Sequence, residues 1–386
     1  MIKTDWLTFH ECVCFKGKLW ACSNRFSAYF CINPSNGDTT FEGWGEFCEK
    51  VGCRIFTIGI YKNYLVSVSR FGDYIELIDT ENKKRKICEL DYQGEAEKGE
   101  YYFFVVERYF IVNSFMDKKT FVFDLERLIT AGENRPIKKL IHKFDIITKP
   151  VLIGKTLFFL KEDKAVIETI YLEDWSVKFY SIKDKYIGIA DLLISNGKIF
   201  LLFVNGDVAI YKKDTNELLE YYKKREQGCI YGKFYIAADR LWIFPRTKGD
   251  IFIIDLKTKS VCTYTCYPED FSFLFSEPHP KYASFAEDDR FIYIGQRSAN
   301  YMMVIDKVKG NETWISVMFP KKYFEEELSK VVTNDIGTYM VENQCLMVLR
   351  LFLGYIKYLG NCNKIEAADN CTIGDSIYGW MKKIYE

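Results

Sequence analysis

The feature that most constrains this chain is a unit repeated eight times: an apolar run, a tight polar turn, and a second apolar run. The instances are 12–23, 55–69, 102–114, 151–160, 192–204, 234–244, 283–295 and 338–349. Each reads as two strands joined by a hairpin turn. Asn196-Gly197 is the strongest turn pair, because both residue types tolerate the positive φ that a type I′ turn demands. The first apolar residue after each turn is Leu19, Leu65, Phe110, Leu157, Ile199, Leu241, Phe291 and Leu346, which gives intervals of 46, 45, 47, 42, 42, 50 and 55 residues. Unrelated hairpins have no reason to keep such a period.

A third and a fourth run follow most hairpins. The third runs (SAYFCIN, DYIELID, TFVFDL, AVIETIYL, DVAIYKK, DIFIIDL, YMMVIDK) are strongly apolar. Four of them close on Asp79, Asp124, Asp255 or Asp306, whose side chains can accept backbone N–H bonds and open a turn. The fourth runs, such as TTFEGW, SVKFYSI and ETWISVMF, mix polar and apolar residues as a half-solvated outer strand does. Four short strands every 40–50 residues predict an all-β chain: a single closed β-propeller of eight four-stranded blades over residues 1–360, with seven as the alternative. The eighth unit has a hairpin and a third strand, GYIKYLG at 354–360, but lacks a fourth. Thr4 to Phe9 resembles Glu312 to Val317, so the N-terminal strand is expected to complete the last blade and remove the open edge. Residues 361–386 form a C-terminal tail. Short amphipathic helices are expected near 320–334 and 372–386, the second docked on the propeller.

The unit resembles those of the Kelch, WD40 and quinoprotein-type propeller superfamily over nearly the whole chain, in architecture and in the apolar-Asp step before the outer strand. The Gly-Gly doublet of Kelch repeats has no constant position, and the Gly-His and Trp-Asp of WD40 repeats are absent, so no functional residue is carried over from those families.

Composition removes several function classes. Fifty-three basic residues balance 53 acidic ones, which argues against a nucleic-acid binder. No run is long and apolar enough to span a membrane, and the start shows no signal peptide. The 13 cysteines lack framework spacing and often sit in apolar runs, as Cys22, Cys31, Cys88 and Cys345 do. They read as reduced thiols of a cytoplasmic protein. Phosphate-binding glycine loops, nucleophile elbows and HExxH are absent. With three histidines in the chain, His10, His142 and His279, no metal site is expected. His10, Cys12 and Cys14 alternate along one strand and read as core. No cofactor is expected, and the lack of a catalytic set points away from an enzyme without closing the question.

One pattern survives comparison between units. The link between second and third strands is often basic at about the same offset, at Arg25, Arg70, Lys161, Arg246, Arg297 and Arg350, while unit three has Lys118 and Lys119 a little later and unit five has Asn205. In an up-and-down blade these links leave the same end as the connections between blades, one of which holds Phe271, Phe273 and Phe275 in a long insertion. Guanidinium groups beside aromatic rings suit carboxylates, phosphates or an acidic peptide. The leading reading is a scaffold that binds a protein partner bearing an acidic segment. The alternative is an enzyme or sensor for a small anionic or carbohydrate ligand at the mouth of the central channel.

Overall fold

The computed structural model describes residues 11–23, 28–45, 55–69, 74–92, 101–114, 119–141, 150–160, 165–182, 188–223, 229–246, 249–269, 271, 282–296, 301–317, 338–341 and 344–348. They form seven four-stranded antiparallel sheets and one separate hairpin. Blade one is β1 (Glu11–Phe15), β2 (Lys18–Ser23), β3 (Ala28–Ile32) and β4 (Thr39–Trp44). Blade two is β5 (Ile55–Tyr61), β6 (Tyr64–Ser69), β7 (Tyr74–Asp79) and β8 (Arg85–Glu89). Blade three is β9 (Tyr101–Val106), β10 (Tyr109–Ser114), β11 (Lys119–Asp124) and β12 (Lys138–Ile141). Blade four is β13 (Val151–Ile153), β14 (Thr156–Leu160), β15 (Val166–Tyr171) and β16 (Val177–Ser181). Blade five is β17 (Ile189–Ser195), β18 (Lys198–Phe203), β19 (Val208–Lys212) and β20 (Leu218–Tyr222). Blade six is β21 (Tyr231–Ala237), β22 (Arg240–Pro245), β23 (Phe252–Asp255) and β24 (Val261–Thr263). Blade seven is β25 (Tyr282–Glu287), β26 (Phe291–Gln296), β27 (Tyr301–Asp306) and β28 (Glu312–Ser316).

Local chemistry explains these elements. Asn196 and Gly197 both adopt positive φ, 48° and 70°, so the β17–β18 turn is of the mirror type that matches strand twist. The Asp residues that end third strands act as expected. Asp79 accepts from the N–H groups of Glu81 and Asn82, Asp255 from Lys257 and Thr258, and Asp306 from Val308 and Lys309. Asp124 does the same for Glu126 and Arg127, but there the chain continues into α1 (Leu125–Thr130), a helix the strand pattern had concealed. Leu125 and Leu128 hold it by burial.

The core is a ring of seven apolar clusters, one at each blade interface. The decisive one joins blade seven to blade one: Tyr293, Met302, Val304 and Val317 pack on Cys12, Leu19, Ala21 and Phe30. This corrects the expectation of eight blades. The ring is already closed at seven, by face-to-face packing of the first and last sheets. The hairpin predicted for an eighth unit does form, as β29 (Thr338–Val341) paired with β30 (Gln344–Val348), but as a two-stranded sheet. The repeat counted hairpins, and a blade needs four strands. The N-terminal strand at 4–9, the run 354–360, the helices at 320–334 and 372–386, and the tail lie outside the described residues.

Candidate interaction surfaces

Up-and-down strand order puts the links between second and third strands and the connections between blades at one end of the ring. Of the residues assigned there from sequence, Arg25, Arg70, Lys161, Arg297, Arg350, Phe273 and Phe275 lie outside the described residues. Arg246 and Phe271 are described. Arg246 follows β22 directly, is exposed, and donates its backbone N–H to the Ile230 carbonyl at 2.6 Å. Its side-chain stem passes over Gly232, where a Cβ would lie 3.4 Å from the Arg246 Cβ. Phe271 sits on the segment leading from blade six to blade seven, half-buried, with its ring 5.1 Å from Trp314, 5.0 Å from Tyr267 and 5.9 Å from Tyr301. Trp314 Nε1 donates to the Tyr264 hydroxyl at 2.8 Å and to the Cys266 carbonyl at 3.1 Å. This aromatic cluster pins the start of the insertion against the outer part of blade seven.

A second arrangement at the same end was not foreseen. The inner strands β5, β17, β21 and β25 each carry a register shift, and Thr57, Asp191, Lys233 and Ser284 occupy the same place after it. The signal was in the sequence: a polar residue at the same early step of four mostly apolar strands. Thr57, Asp191 and Lys233 join neighbouring blades. Glu11 accepts from the Thr57 hydroxyl and, at 3.3 Å, from the Ile58 N–H. Asp191 accepts from Lys233 Nζ at 3.0 Å and from the Phe234 N–H at 3.3 Å. Burial pushes the Asp191 carboxyl above its usual range, and the Lys233 ammonium only partly offsets this. Lys233 itself keeps a third of its side chain exposed.

Between blades one and two a small cavity of about 130 Å³ is lined by Trp20, Tyr29, Phe41, Lys83 and Arg85 among others. Its polar groups are committed to one another. Tyr29 donates to Glu76 at 2.8 Å, Arg85 reaches Glu76 at 3.3 Å, and Lys83 lies 4.4 Å above the Trp20 ring and pairs with Glu42. Cys12 is buried in the cluster between blades seven and one, and Cys14 Sγ lies 3.9 Å from Asp288 Oδ2; His10 is outside the described residues.

The outer rim is uneven. Blades three to five expose Ile141, Val177, Phe179, Tyr180, Leu218 and Leu219 on their outer strands. All five residues of β16 are exposed. A cleft of about 590 Å³ opens beside the cluster that joins blades four and five.

No protein-family model and no curated protein matches the chain. Solved structures do. A streptogramin B lyase structure aligns with a TM-score of 0.55 at 10% identity, over 77% of this chain and 93% of the other. A chain of a mitotic checkpoint complex aligns at 0.55 and 8% identity, over 82% and 90%. The computationally designed protein Ika8 aligns at 0.52 and 10% identity, over 81% and 87%. At such identities the likeness is one of fold: the chain is a divergent β-propeller repeat protein. No helix among the described residues is long and apolar enough to cross a membrane.

Proposed function

We propose that the chain is a non-enzymatic interaction protein of the cytoplasm, a rigid disc that docks a partner protein through an acidic segment on its loop-bearing end. The observation that carries this reading is positional. The basic residues recur at about one step of the repeat, a step that up-and-down strand order would bring to one end of a ring. The aromatic cluster around Trp314 gives the neighbouring insertion a fixed base. A rigid scaffold lowers the ordering cost of binding, since the loops start from set positions. A pull-down with the full chain is expected to recover a stoichiometric partner, and Arg70→Glu, Arg246→Glu and Arg297→Glu together are expected to release it. Retention of the partner by that triple variant would reject this face.

A second reading has one observation in its favour. The buried Asp191 and the partly exposed Lys233 stand on the innermost strands, where a small anionic or carbohydrate ligand at the channel mouth would meet them. The fold serves both classes: one similar structure is a lyase, another belongs to a multiprotein complex. Here both Asp191 oxygens are engaged by the neighbouring blade, which favours a structural part for the pair. Anion binding lost on Lys233→Ala with the melt unchanged would support the ligand reading instead.

A further inference from the structure

The cleft between blades four and five differs from the other interfaces described. Phe158 and Ile167 of blade four and Leu192, Ile194, Ile199 and Leu201 of blade five, all members of the cluster that joins the two sheets, line a cleft of about 590 Å³. That volume falls in the range of small-molecule sites, roughly 300–1,000 Å³. An apolar slot open to water is costly to leave unfilled, because its walls lose contact partners without gaining hydrogen bonds. Polar groups line it as well: Thr156, Thr169, Tyr180 and Ser181 on blade four, and a pair on the turn between β19 and β20. Lys213 and Asn216 stand on that turn, and Tyr211 ends the wall below them. Among the described residues Lys213 makes no ion pair, although Lys155, Lys257 and Lys259 on comparable turns all do. The slot therefore combines apolar walls with a cation at one end. Strands of five or six residues run about 17–20 Å, the length scale of an alkyl chain.

We propose that this cleft is a binding site for a linear aliphatic carboxylate, with the alkyl chain between the two sheets and the carboxylate at Lys213 and Asn216. An acidic partner peptide on the loop-bearing end uses different residues, so failure of either idea leaves the other standing.

The test is calorimetric titration of the full chain with dodecanoate, dodecanol and dodecyltrimethylammonium, each below its micelle threshold. Saturable binding of dodecanoate is expected, weakened at least tenfold by Lys213→Glu. Dodecanol is expected to bind more weakly than dodecanoate and to be indifferent to Lys213→Glu. Ile199→Trp, which fills the slot, is expected to abolish both, and Ile194→Trp replaces it if its thermal melt is lost. The proposal is overturned if dodecanoate does not saturate, if the ammonium amphiphile binds as tightly as the carboxylate, or if binding survives the filled slot.

Discussion

Gly37 offers a direct reading of how the ring closes. It lies in the turn between β3 and β4 with φ of 78°, and a Cβ there would fall well inside van der Waals contact distance of the Ser316 backbone oxygen. Ser316 is the last residue of β28, so the collision is between blade one and blade seven. Two costs are superimposed in Gly37→Ala. The left-handed backbone costs an L-residue about 1–2 kcal/mol. Forcing a methyl against a carbonyl held in a sheet adds about 1–3 kcal/mol. Gly17 supplies the control, for it has φ of 71° and a methyl added there would meet nothing within 4 Å. Gly17→Ala therefore bears the backbone cost alone. Urea unfolding of both variants, with midpoint and slope compared to the parent, is expected to show Gly37→Ala less stable than Gly17→Ala by about 1–3 kcal/mol. Equal losses would refute the argument, since they would mean that nothing from blade seven stands over the turn.

Other consequences follow from named contacts. Asp124→Ala is expected to cost about 1–2 kcal/mol in urea unfolding by leaving the first turn of α1 uncapped, with Asp124→Asn recovering most of it. Trp242, fully buried between blades six and seven, is expected to cost about 3–5 kcal/mol on Trp242→Ala. Turn N–H groups hold Asp79, Asp255 and Asp306 below the ordinary carboxyl value of 3.8. Their contribution is present above that value and disappears as pH falls through the folded pKa, so Asp255→Asn should blunt acid unfolding measured between pH 2 and 5, a window of about the right position for carboxylates. Asp191 has the opposite sign. Burial raises its pKa, so its contribution is complete below 3.8 and is lost as pH rises through the folded value. The penalty of Asp191→Asn is thus expected to shrink as pH rises from 3.8, and a penalty that grows instead would show an ordinary ion pair.

The sequence was most informative where one strand property repeats. All seven blades have strands where the apolar runs stood, since continuous apolar runs buried on both faces between fixed turns leave little freedom. The Asp residues at the ends of third strands were legible because their bonding is local. Blade number was not, because closure depends on how Tyr293, Met302 and Val304 meet Leu19 and Phe30 from the opposite end of the ring's sequence. The last interval, Phe291 to Leu346, was the longest, and it marked the unit that does not become a blade. Helix α1 was hidden because Leu125 continued an apolar strand in sequence while Asp124 capped a helix in space. The cleft between blades four and five was unreadable, since Phe158, Leu192 and Leu201 look the same in sequence whether or not a cleft opens beside their cluster. Of the basic residues only Arg246 lies among the described residues, and Phe271 proved to be tied into the Trp314 cluster rather than displayed alone.

The closure of seven blades can be tested by a covalent link across the joint. Cys14 of blade one lies 3.9 Å, sulfur to oxygen, from Asp288 of blade seven. Burial first, and the Asp288 carboxylate second, push the Cys14 thiol up to about 11, so Asp288→Cys also removes a barrier to its oxidation. Mild oxidation of that variant, followed by digestion and mass spectrometry, is expected to yield a peptide pair joined at positions 14 and 288 that vanishes in Cys14→Ser. An intervening eighth blade would hold the two sheets at least one further packing distance apart, about 10 Å, and failure of this pair to form in a folded protein would contradict the seven-bladed ring.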